Sequence, residues 1–84
     1  MLDMYFTVRS VTPAQKGRDA LNRAGVRCRM LRAPRAIAQN GCAYALAVRA
    51  VDGQDAALLL DRAGVETEGA WQRLQDGSFM RAWV

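Results

Sequence analysis

The chain has 84 residues, 51% of them apolar, with a net charge of +4 and no histidine. That length makes a single domain, 1–84, whose core is of modest stability, so a homodimer or docking on a larger assembly is expected. Without histidine, the common Cys-His and Ser-His-Asp arrangements and mixed Cys/His zinc sites are excluded, and the scattered glycines form no nucleotide fingerprint.

The opening segment, MLDMYFTVRS, lacks the basic start and small-residue cleavage site of a signal peptide. No apolar run approaches the ~20 residues of a membrane span, so a cytoplasmic location is expected. Residues 4–9, rich in aromatic and β-branched types, predict a strand. Thr12, Pro13 and Gln15 have the form of an N-cap, a first-turn proline and a capping-box partner, which predicts a helix over 13–24. Its apolar side is Ala14, Gly17, Leu21 and Ala24, with Ala20 beside them. Residues 26–31 then alternate, with Val26, Cys28 and Met30 on one face and Arg27 and Arg29 on the other.

A long loop, RAPRAIAQNG, leads to Cys42 and a strand over 42–48 with Tyr44, Leu46 and Val48 on one face and alanines on the other. A second helix is expected from Asp52 or Gln54 to Ala63, with Asp52 as its cap and Leu58, Leu59 and Leu60 as a broad apolar face. A weaker strand follows at 66–74. LNRAGVRC at 21–28 returns as LDRAGVET at 60–67, so each helix stops at a glycine, Gly25 or Gly64, and a valine opens the next extended run. The reading is α+β: a ferredoxin-like β-α-β-β-α-β with a four-stranded antiparallel sheet, both helices on one face and the other face open. The tail 75–84, with Phe79, Met80 and Trp83, is expected to cover part of that sheet or to reach a partner subunit.

Residues 1–42 carry eight basic and two acidic side chains, residues 43–84 four and six, and eleven of the twelve basic residues are arginine. Arginine suits planar recognition of phosphate or carboxylate, although a plain solvated basic surface is the commoner outcome. Cys28, in mid-strand, reads as a small core residue, and Arg27 and Arg29 point away from it. Cys42 has two readings that the residues alone leave open. Arg32, Arg35, Asn40 and Gly41 can lower its pKa, or it simply begins a buried strand after a turn glycine. If the strands pair around the loop so that Arg32 faces Cys42 and Cys28 faces Leu46, the sulfurs lie roughly 13 Å apart at about 3.3 Å per residue. A disulfide needs Cα atoms within ~7 Å, so both thiols read as free. Two separated cysteines make a poor metal site, the carboxylates Glu66 and Glu68 read as solvated, and neither a metal nor a cofactor is expected.

Tyr5 and Phe6, the run Ala24, Gly25, Val26, and then Pro34, Arg35, Ile37, Gly41 and Cys42 before the apolar strand resemble a small bacterial family of selenium/sulfur carrier protein-like domains of unknown function. The resemblance covers about residues 4–74. It implies a persulfide or selenide held on Cys42, with Arg35 and Arg32 stabilising the anion and Asn40, Gly41 and Pro34 shaping the binding loop. A partner enzyme would donate or accept the atom. That is a carrier rather than a stand-alone enzyme. The competing readings are a non-catalytic dimerising or protein-docking module, and RNA or DNA binding through Arg27, Arg29, Arg32 and Arg35 with Tyr5, Tyr44 and Trp71 as stacking residues. Nucleic acid is the least favoured partner, because the aromatic-glycine signature of ferredoxin-like RNA binders is missing.

Overall fold

Alternation of side chains decides the first strand, Asp3–Val8 (β1). Met4, Phe6 and Val8 face one side, Tyr5 and Thr7 the other, and all five are buried, so both faces of this strand are covered. The computed structural model describes residues 3–38, 41 and 43–82. After β1 come α1 (Val11–Arg23), β2 (Arg29–Arg32), β3 (Tyr44–Arg49), α2 (Gly53–Arg62), β4 (Gly69–Arg73) and β5 (Phe79–Arg81). The strands form one antiparallel sheet in the order β2-β3-β1-β4-β5.

The β-α-β-β-α-β order is present, but the sheet has five strands where the sequence reading expects four. The extra strand comes from a turn signal, Asp76-Gly77, inside what reads as one continuous tail. Gly77 takes a left-handed φ of 87°, Asp76 accepts hydrogen bonds from Ser78, and Leu74 N–H donates to the Ser78 carbonyl (2.8 Å), which folds residues 79–81 back along β4. Phe79 then meets Tyr5 edge-on at 5.2 Å. Trp83 lies outside the described residues.

Both helices pack on one face of the sheet. Ala14 and Leu21 from α1 and Ala56 and Leu60 from α2 join Met4, Phe6, Val8, Leu46, Val48 and Ala70 in one core. Gly17 is the point of closest approach: a Cβ there would stand 2.6 Å from Leu46 Cδ1 and 2.9 Å from Leu60 Cδ2, so only glycine lets α1 sit this near. The duplicated AGV segments make equivalent helix stops. Gly25 N–H donates to the Asn22 carbonyl and Val26 N–H to that of Leu21, just as Gly64 pairs with Asp61 and Val65 with Leu60. These are paired Schellman closures, and each valine is carried back onto the core beside its partner leucine.

Several boundaries differ from expectation. The N-cap of α1 is Ser10, not Thr12, and it makes no side-chain cap bond; Pro13 falls within the first turn, where its missing N–H has no intrahelical partner to lose. Ala24 is exposed because the closure at Gly25 turns it outward. Asp52 does stand at the start of α2, but its carboxylate binds Arg49 (3.4 Å) rather than capping. Only Leu60 of the three leucines is buried, and Leu58 is 58% exposed, since consecutive helix residues are about 100° apart. Cys28 precedes β2 instead of sitting within it, and Glu66 and Glu68 precede β4. The β2–β3 register is also two residues out, with Arg32 opposite Tyr44 and Met30 opposite Leu46, a shift that preserves which face each side chain takes.

Gly25 has a φ of 87° and no atom within 4 Å of an added Cβ, so Gly25→Ala meets a backbone penalty alone. A loss of about 1 kcal/mol, read as a lower urea midpoint at unchanged slope, is expected.

Candidate functional site

The loop from Ala33 to Ala43 is fixed to the sheet at two places. At its base, Ala33 N–H donates to the Ala43 carbonyl (3.0 Å), extending the β2–β3 ladder by one rung. Beyond this, Pro34 takes an extended backbone (φ −55°, ψ 145°) that leads into a single 3-10 turn, Arg35–Ile37, closed by Ile37 N–H on the Pro34 carbonyl (3.0 Å). The turn lays Ile37 on the sheet face away from the helices, where it is 1% exposed and clusters with Tyr5, Ala45 and Ala47. Alanines at those two β3 positions leave the depth that the isoleucine fills.

The face expected to be open is therefore partly covered, by Ile37 from this loop and Phe79 from β5. Tyr5 is 4% exposed beneath them, and Tyr44 lies on the opposite, helix-covered face. The three aromatics proposed as a stacking platform do not share a surface, which removes the geometry that base stacking on the sheet needs.

Of the site residues read from the sequence, Arg35 begins the 3-10 turn and is exposed, Pro34 is half-buried, and Gly41 is exposed with a left-handed φ of 79°. Arg32 ends β2 on the helix side, its guanidinium 5.6 Å from the centre of the Tyr44 ring. Asn40 and Cys42 lie outside the described residues. The surrounding end of the sheet is nonetheless well defined. Val8 pairs with Tyr44, so the chain leaving β1 through Arg9 and Ser10 into α1 starts where the loop returns. That first turn carries no acidic residue and no side-chain cap, which leaves the positive end of the α1 dipole uncompensated there. Arg9 is held by Glu68 (3.2 Å).

Cys28 occupies a different environment. Its thiol is free and 8% exposed, packed in the helix-side core, and its N–H donates to Asn22 Oδ1 (3.2 Å). Burial pushes the thiol pKa up to about 11, against the opposing charges of Arg18 and Arg29. Arg18 is a neighbour the sequence reading missed, because it comes from α1 and not from the flanking strand. Ile37 stands in the sequence only as one of the residues that carry the family resemblance; its role as an anchor has as its signal a lone bulky apolar residue among small and polar loop residues. Among the described residues no three cysteine, aspartate or glutamate side chains converge as a metal site, and no helix is long and apolar enough to cross a membrane.

A family model described as "Putative Se/S carrier protein-like" matches residues 3–72, which spans β1 to β4 and the whole loop. No curated protein and no solved structure matches the chain significantly.

Keeping the Cys28 thiol protonated in the fold ties stability to pH. The folded pKa of about 11 exceeds the ordinary value of 9.0, so the folded state holds its proton longer, and this contribution is complete below pH ~9 and lost as pH rises through about 11. Urea midpoints measured across that window should fall more steeply for the native chain than for Cys28→Ala.

Proposed function

This chain belongs to the family of Se/S carrier protein-like domains, and from that premise we propose that it carries a sulfane sulfur or a selenium atom on Cys42. The chain has two cysteines. One of them, Cys28, is disqualified by its environment: with a pKa of about 11, roughly 1 in 3,000 of its thiols is ionised at pH 7.5. The burial of Cys28 is the single observation that carries the assignment to Cys42, because it leaves one candidate. The β2-β3-β1-β4 part of the sheet and its two helices we read as a ferredoxin-like scaffold to which β5 adds a strand.

Loading proceeds by thiol-persulfide exchange. The Cys42 thiolate attacks the terminal, sulfane sulfur of a persulfide on a donor enzyme. A new S–S bond forms at Cys42, the donor's own S–S bond breaks, and the donor cysteine leaves as thiolate, so no external oxidant enters. Arg35, exposed at the head of the 3-10 turn, offers charge to the anionic product, with Arg32 behind it at the end of β2. Gly41 and Asn40 supply hydrogen-bond donors, and Pro34 fixes the path of the loop. With no histidine to act as base, activation of the thiol rests on this fixed positive charge and on the donor enzyme.

Incubation with a cysteine desulfurase and cysteine should add ~32 Da to the intact mass. The adduct is expected in Cys28→Ser, to vanish in Cys42→Ser, and to accumulate more slowly in Arg35→Ala. An adduct that survives in Cys42→Ser would refute the assignment.

A further inference from the structure

Among the described residues the sheet ends at β2, whose outer edge has no strand partner there, and this edge is basic. Arg27, Arg29, Arg32 and Arg35 are all exposed along it within nine residues of chain. Among the described residues only Arg29 of the four reaches a carboxylate, Asp3, at 3.8 Å. Since Ala33 N–H points inward to the Ala43 carbonyl, alternation along the strand turns the N–H and C=O groups of Met30 and Arg32 outward, where they have no sheet partner among the described residues. Two outward rungs therefore coincide with guanidinium groups on both faces of the edge, Arg29 on one and Arg32 on the other.

We infer that the free edge of β2 is a docking site for an acidic, extended segment of a partner protein, added to the sheet as a sixth strand. A second copy of this chain is the poorer occupant, because antiparallel pairing of β2 with itself through these rungs sets Met30 opposite Arg32 and brings two rows of arginine together with no carboxylate to offset them. RNA is disfavoured because no described aromatic is fully exposed, and Tyr44, which β2 does face, is occupied by Arg32. An acidic strand satisfies both features at once: its backbone completes the two outward rungs, and carboxylates on both of its faces meet Arg27 and Arg29 on one side of the sheet and Arg32 on the other. The edge runs directly into the Ala33–Ala43 loop, so a segment docked here lies alongside it. The inference rests on the strand edge and its charge, and not on the carrier reading.

The test titrates the full isotope-labelled chain, carrying Cys42→Ser so that sulfur chemistry plays no part, with an acetylated and amidated heptapeptide in which pairs of glutamates separated by single valines place carboxylates on both faces. The amides of Met30 and Arg32 should show the largest shifts and become protected from hydrogen exchange. N-methylation of the peptide along its pairing edge, or the double change Arg29→Glu with Arg32→Glu, should each weaken binding about tenfold, and raised salt should weaken it further. Largest shifts elsewhere, equal binding of the N-methylated or of an all-lysine-for-glutamate peptide, or tighter binding of oligouridylate at the same residues would each overturn the inference. The mapping on the chain with native arginines decides the matter even if the double variant fails to fold.

Discussion

Ile37 seated on the alanine floor of β3 is the contact on which the candidate site depends. Closing the eleven-residue connection between β2 and β3 costs chain entropy that its two anchored points must offset. Removing one isoleucine side chain from water supplies about 1.5–3 kcal/mol. That contact is possible because Ala45 and Ala47, and not larger residues, line that face of β3. With Ile37 held down, Arg35 two residues earlier in the same turn is left at the surface. One apolar anchor thus sets the position of a charge.

The two faces of the sheet are covered unequally. On the helix side, close packing around Gly17 and the two Schellman closures builds a dense core, and the Cys28 thiol inside it is held neutral despite two arginines nearby. On the other side, a thinner cover of Ile37 and Phe79 protects Tyr5 and leaves the loop at the margin. The charge asymmetry of the sequence acquires a location in this frame, with the basic first half supplying the β2 edge and the loop, and the acidic second half supplying α2 and its surroundings.

Much of the fold was legible because its signals are local. The helix stops at Gly25 and Gly64, the facing of Tyr44, Leu46 and Val48, and the core role of Cys28 follow from periodicity and glycine placement. What was missed depends on contacts distant in sequence. The fifth strand needed the Asp76-Gly77 turn to be weighed above the apolar run that follows it. The β2–β3 register needed knowledge of where a long loop closes, and the cover over the second sheet face needed Ile37 to be recognised as an anchor. Leu58 shows the opposite error, an apolar residue placed in the core by type although its helical phase turns it to solvent. For the candidate site, residue types single out Cys42 and its arginines as an expectation, and periodicity already points to the burial of Cys28 that the packing shows.

The division between a locked thiol and a working one is the central claim, and it is tested most directly by titrating thiols in the folded, reduced protein at pH 8 with a chromogenic disulfide, followed by peptide mapping. One of the two cysteines should react quickly and map to Cys42, with Cys28 modified only after unfolding. Modification of Cys28 at a comparable rate in the folded chain, or a Cys42 that resists the reagent until denaturation, would contradict the account.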